Sequence, residues 1–290
     1  MPRPITTGLD GSTESRAAAE WAAREATLRR LPLHLVHAWA MEAPTARTAM
    51  EPEVRRHWAL RILREAEADL SARHPDLSIS AEQVHEPPVA ALLERGERAE
   101  ALVLGSRGHG AVTGFLLGSV GLRVLSRAAC PVVLVRKESL REPDRAGDEV
   151  VVGVQATGEP AGALLDFAFT AAAARRLPLR AVRAWRLPPL FAHSPEALRQ
   201  MDEDGGIEAH ERRALAETLR PLREKFPDVP VVEHVELGSA TEVLLTAATR
   251  ARLLAVGRRT EHPALATRLG HVAYAVLHHA HCPIAVVPHD

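Results

Sequence analysis

The stretch VLGSRGHGAVTGFLLGSV, residues 103–120, holds five glycines between an apolar run and an amphipathic one. The run closing on Leu104 reads as a strand, and Gly105 and Gly108 permit tight turns and close backbone approach to a ligand. Gly118 and Ser119 then open a helix. Its first N–H groups have no intrahelical acceptor, so together with the helix dipole they suit a phosphate. Ser119 can cap the helix and offer its hydroxyl to the same anion. No lysine follows the glycines as a P-loop requires. The loop is also too long for the dinucleotide fingerprint, and it follows the fourth strand instead of the first.

Residues 255–272, AVGRRTEHPALATRLGHV, repeat this plan with altered side chains, and the repeat extends outward in both directions. RLPLHLVHAW ends at Trp39 and RLPLRAVRAW at Trp185, an offset of 146 residues. ACPVVLV holds Cys130 and HCPIAVV holds Cys282, an offset of 152. The longer loop of the second copy is assigned to LPPLFAHSP, after Trp185 and before a helix beginning near Gly206. A period this long is a duplicated domain, not a solenoid unit. The charged stretch KESLREPDRAGDE, with its Pro and Gly, reads as the linker, which gives domains at 1–140 and 148–290.

Within the first copy, strands are expected at PITTGL, LHLVHAW, LSISAEQV, ALVLG and PVVLVR. Helices are expected over 12–30, 51–73, 89–98 and 118–127. Near-continuous apolar strands alternating with helices imply an α/β fold: two tandem doubly wound open parallel sheets, five strands each, with helices on both faces. Val120, Val124 and Ala128 fall at i, i+4 and i+8, and Val272, Val276 and Ala280 keep that stripe in the second copy. Trp21 falls on the apolar side of the first helix.

Composition sets bounds on function. Lys plus Arg number 36 against 37 Asp plus Glu, and aromatics are 3% of residues. That balance provides neither the basic field nor the stacking surfaces of a nucleic-acid binder. No apolar run approaches the roughly 20 residues that cross a bilayer, and the N-terminus lacks a long apolar signal core. The expectation is a cytoplasmic protein without nucleic-acid or membrane partners. Two cysteines at equivalent positions make no disulfide framework and are expected to be buried thiols.

Gly105-x-x-Gly108, nine residues, then Gly118-Ser119 resembles the ATP-binding motif of the universal stress proteins. The segments GLDGSTESRAAAEWAAREA, LVHAW and ACPVVLVR are similar to the same family, in the same order. The resemblance covers both halves of the chain, and a tandem form of the family exists. It implies ATP, with or without Mg2+, as ligand. Asp10 at the end of the first strand would approach the ribose, and backbone at Ala38 would meet the adenine edge. Gly105, Arg107, Gly108, Gly118, Ser119 and Val120 would surround ribose and phosphates. Gly121 stands where the family often has a hydroxyl donor. The resemblance also implies pairing of domains through their last strands, here PVVLVR with PIAVVP as an internal pseudo-dimer. Unidentified protein partners and a possible homodimer of the whole chain remain open.

The second copy departs further. Gly257 and Gly270 remain, but Gln155 stands for Asp10, Thr260 for Gly108 and His271 for Ser119. The threonine is expected to occupy space near the phosphates, so nucleotide binding is assigned chiefly to the first copy. The run HHAHCP, residues 278–283, has zinc-type ligands, but they sit at a helix end with divergent directions. No catalytic triad or carboxylate pair stands beside the glycine loop, and His109 alone makes no general base. The resulting expectation is an ATP-binding stress-response regulator. The alternatives are a nucleotide-free scaffold, or an enzyme with at most slow ATP hydrolysis or phosphotransfer.

Overall fold

The computed structural model of the chain describes residues 2–39, 52–106, 118–137, 147–155, 162–186, 206–260 and 269–289. The chain forms two compact units, Met1–Pro143 and Asp144–Asp290. In the first, β1 (Ile5–Gly8), α1 (Thr13–Arg29), β2 (Leu33–Ala38), α2 (Pro52–Arg73), β3 (Ile79–Val84), α3 (Pro88–Gly96), β4 (Ala101–Ser106), α4 (Ser119–Leu125) and β5 (Val132–Arg136) follow one another. In the second the series is β6 (Glu149–Gly153), α5 (Gly162–Arg175), β7 (Leu179–Trp185), α6 (Gly206–Lys225), β8 (Val231–Leu237), α7 (Ala240–Ala248), β9 (Ala251–Arg259), α8 (His271–His279) and β10 (Ile284–His289).

Strand order in the first unit is β3-β2-β1-β4-β5, every pair parallel. The second unit has the equivalent order β8-β7-β6-β9-β10, also parallel. In each unit the direction of winding reverses at the first strand, between β1 and β4 and between β6 and β9. A crevice at the carboxyl ends of these strands is where an open α/β sheet binds its ligand. Helices α1 and α2 pack together over one face of the first sheet, with α3 and α4 over the other. A sheet covered on both faces needs apolar residues throughout, and β4 and β5 accordingly read ALVLGS and VVLVR with almost every position buried.

Helix α1 shows how local sequence serves this packing. Its N-cap Ser12 accepts a hydrogen bond from the Ser15 N–H. Ala18, Ala22, Ala23 and Ala26 are wholly buried, and their small side chains let the helix lie close to the sheet. Trp21 is buried as its position in the pattern implied. The helix ends on Arg30 in the left-handed region, φ 54°, and Arg176 repeats this at φ 53°. A non-glycine residue costs about 1–2 kcal/mol there, and both copies carry the same Arg-Leu-Pro exit into the next strand.

The expected apolar stripe holds at two of its three positions. Val124 and Ala128 are buried, as are Val276 and Ala280, but Val120 and Val272 are only half-buried. The reason is position: both open their helices at the carboxyl edge of the sheet, facing the crevice. Cys130 and Cys282 are buried and make no disulfide. The longer loop assigned to LPPLFAHSP and most of the linker lie outside the described residues.

Candidate functional site

In the first unit, β1 delivers Asp10 to the carboxyl edge of the sheet through a tight turn. Gly11 takes φ +84°, a conformation suited to glycine, and its neighbours fold around it. Asp10 Oδ1 accepts the Ser12 N–H at 2.9 Å and also the Ser12 hydroxyl. Ser12 Oγ in turn accepts the Ser15 N–H at 3.1 Å, and the Asp10 N–H reaches Ser15 Oγ at 3.4 Å. Asp10 therefore has a structural duty, fixing the entry to α1, and it brings an exposed carboxylate to the crevice.

Gly105 lies at the end of β4, against that same helix entry. A Cβ there would stand 2.5 Å from the Glu14 carbonyl carbon and 2.7 Å from the Ser15 nitrogen. Only a residue without a side chain lets β4 and the first turn of α1 approach this closely. Asp10, Gly105 and the α1 entry are thus one contiguous piece of structure. Lys137, just past β5, joins it by donating from Nζ to Thr13 Oγ1 at 3.3 Å.

Because β4 and β5 run parallel, α4 runs back between them, and its first turn lies at the carboxyl edge. Its first intrahelical bond runs from the Leu122 N–H to the Gly118 carbonyl at 3.0 Å. The N–H groups of Ser119, Val120 and Gly121 precede that bond and have no acceptor within the helix. Among the described residues, a Cβ on Gly118 would meet nothing within 4 Å, and Ser119 beside it is exposed.

Ala38 closes β2 and packs against a buried apolar cluster of Val36, Val84 and Ala91. This packing anchors the end of β2 to the core. The preceding residue, His37, is buried, with Nδ1 2.8 Å from the Leu9 carbonyl. A carbonyl only accepts, so Nδ1 carries the proton. Burial pushes the His37 pKa below its ordinary value, against smaller opposing effects of the Leu9 carbonyl and the Asp10 charge. The ring of Trp58 meets His37 edge-on, with centroids 5.9 Å apart. Arg107 and Gly108 lie outside the described residues.

The second unit shows the corresponding positions gathered around one cavity of about 440 Å³. Gln155, Ala184, Gly257, Arg259, Gly270, His271 and Val272 all line it. By their places in the repeat they answer to Asp10, Ala38, Gly105, Arg107, Gly118, Ser119 and Val120. Seven of the eight positions singled out in the first copy therefore have counterparts that meet at a single crevice. Thr260, the counterpart of Gly108, does not line it. Its N–H donates to the His289 carbonyl at 2.8 Å, extending the β9–β10 ladder. Arg259 and His289 do line the cavity, and a Cβ on Gly257 would run into the His289 ring.

Sequence reasoning passed over Lys137 and His289. Lys137 follows PVVLVR and His289 follows PIAVVP, separated by the same 152 residues as Cys130 and Cys282. Both are basic, and that shared position was the available signal. Among the described residues, no three His, Cys, Asp or Glu side chains group as a metal site, the HHAHCP run included. No described helix is long and apolar enough to cross a membrane.

The sequence profile described as the universal stress protein family matches residues 1–136 and again 148–288. A universal stress protein of Mycobacterium tuberculosis is 33% identical over 97% of this chain and 96% of its own length. Among solved structures, a universal stress protein from Archaeoglobus fulgidus superposes with a TM-score of 0.69 at 15% identity, covering 99% of both chains. A second Archaeoglobus fulgidus universal stress protein, solved in complex with dAMP, matches 46% of this chain and 97% of its own at 24% identity, TM-score 0.34.

Proposed function

The chain belongs to the universal stress protein family, and on that premise we propose that it is an ATP-binding stress-response regulator whose first unit holds the nucleotide. The observation that carries this reading is the convergence just described. The counterparts of the first-copy residues line a single crevice at the switch point of the second sheet. The first copy keeps at those positions the residues best suited to a nucleotide.

Each group has a physical role. The Asp10 carboxylate accepts hydrogen bonds from ribose hydroxyls. Backbone at Ala38, held by its packing on the buried Val36, Val84 and Ala91, meets the adenine edge, and burial of the ring adds apolar stabilisation. The first N–H groups of α4, with the exposed Ser119 hydroxyl, donate to the phosphates. Arg107, Gly108 and Lys137 complete the reading as phosphate neighbours. Each charge-assisted hydrogen bond contributes about 1.5–3 kcal/mol, so three or four with a seated base reach micromolar affinity, about 8 kcal/mol. Mg2+, if it enters, travels on the phosphates.

In this reading ATP acts as a bound effector that orders the loop it binds. Nucleotide released from the purified protein by acid, and calorimetric titration of the stripped full chain, test the proposal. The expected stoichiometry is one ATP per chain. Two per chain would show that the second unit retains nucleotide binding, and none would remove the proposal.

A further inference from the structure

The cavity of the second unit has a chemistry of its own. Half of its lining is apolar, with Val154, Val182, Ala240, Leu244 and Val256 among the walls. Its polar lining is Gln155, Arg186, Arg259, His271 and His289, and among the described residues no Asp or Glu lines it. Two guanidinium groups and two imidazoles over an apolar floor favour an anion with an apolar body. A volume of about 440 Å³ falls within the range of small-ligand sites.

The same residues argue against a nucleoside polyphosphate. Gln155 brings no carboxylate to accept from a pair of ribose hydroxyls. His271 puts a ring at the helix start in place of a hydroxyl. The His289 ring lies directly against Gly257, so the backbone there is covered by imidazole and does not present itself to phosphate. What remains is a rim carrying the guanidinium groups of Arg186 and Arg259. The guanidinium group of Arg259, planar and forked, matches the two coplanar oxygens of a carboxylate.

We infer that the second unit's cavity is a separate binding site for a small organic carboxylate with an apolar, ring-sized body. The chain then carries two different ligands at equivalent places in two copies of one fold.

The test uses the full chain and naphthalene-2-carboxylate as probe, followed by calorimetry. Saturable binding of one probe per chain is expected, with the neutral naphthalene-2-carboxamide weaker by about tenfold or more, since it lacks the charge. Arg259→Gln, at an exposed position, is expected to weaken the carboxylate by a similar factor and leave the carboxamide unchanged. Gly270→Val narrows the cavity at a position where a Cβ meets nothing within 4 Å, and its φ of −62° suits valine. It is expected to weaken both probes while the thermal melt stays in place. Saturating ATP is expected to leave the probe titration unchanged. The inference is overturned by absence of saturable binding at millimolar probe, by equal binding of the carboxamide, by indifference to both substitutions, or by displacement of the probe by ATP or AMP.

Discussion

Gly118→Val separates the fold of the first unit from its proposed ligand more cleanly than any other single change. The backbone at Gly118 has φ −55° and ψ 142°, an extended conformation that valine adopts without strain. A Cβ there meets nothing within 4 Å. Removing glycine lowers the entropy of the unfolded chain and favours folding by about 0.4–1 kcal/mol. Valine is a poorer N-cap than glycine, which costs up to about 1 kcal/mol. The two nearly offset, so the melt of the free protein is expected to shift by no more than a few degrees.

The effect on ATP is of another size. The two γ-methyl groups would fill the space in front of the Ser119 and Val120 N–H groups. Losing two charge-assisted bonds of about 1.5–3 kcal/mol each comes to about a hundredfold in affinity at the low end. In a thermal-shift assay, ATP at a hundred times its Kd stabilises the wild-type chain by about 2.7 kcal/mol. That raises the melt of a unit this size by roughly 5–10 °C, and the variant is expected to lose that rise. Gly270→Val is the internal control. Its site is as open and its φ is −62°, yet it stands in the other unit and is expected to leave ATP affinity unchanged. A folded Gly118→Val protein that keeps the full ATP shift would refute the placement of phosphate at α4.

Three further outcomes follow from the same geometry. Ser119→Ala is expected to weaken ATP by about 1–3 kcal/mol, the range for one hydrogen bond to a charged group, with no change in the free protein's melt; calorimetry checks both. Gly105→Ala forces a Cβ to 2.5 Å from the Glu14 carbonyl carbon and is expected to destabilise the first unit by about 1–3 kcal/mol, seen as a lower melting temperature without ligand. The lowered pKa of His37 means the unfolded chain takes up its proton first on acidification. Its stabilising contribution is therefore complete above about pH 6.5 and is lost as pH falls below that toward the folded-state value. His37→Gln, which can still donate to Leu9, is expected to flatten that part of the pH–stability curve, and an unchanged slope would contradict it.

Much of the architecture was legible because each strand and helix announces itself within its own residues. PITTGL, LHLVHAW and PVVLVR became β1, β2 and β5 within a residue or two, since burial on both faces leaves a continuous apolar run. The helix after the glycine loop was equally plain from Val124 and Ala128, and from Val276 and Ala280. The site was legible only in part, because it depends on register between strands distant in sequence. Val135 lies beside Gly105 and Val287 beside Gly257. Lys137 and His289, two residues further on, therefore project from the same face past the carboxyl edge. No local pattern carries that registration, so both residues escaped notice. His37 shares a strand face with the buried Leu33 and Leu35, so alternation alone gives it an inward place; its partners, the Leu9 carbonyl and the Trp58 ring, come from other segments and no local pattern names them.

The two copies differ in where they are free to change. Val124 and Val276 are enclosed on all sides, so a change of volume there costs stability at once. Gln155 and His271 line a cavity, and Asp10 and Ser119 are exposed, so a change of side chain at these positions disturbs no core packing. Had the second crevice simply fallen out of use, larger apolar side chains filling it would have removed exposed apolar surface, worth about 25 cal/mol per Å². Nothing at the described positions has done so: Ala184, Ala240, Gly257 and Gly270 all remain small, and the cavity stays at about 440 Å³. The substitutions that did occur are polar or cationic and stand at its rim. An unfilled apolar cavity with guanidinium and imidazole groups at its rim suits the anionic ligand inferred for the second unit.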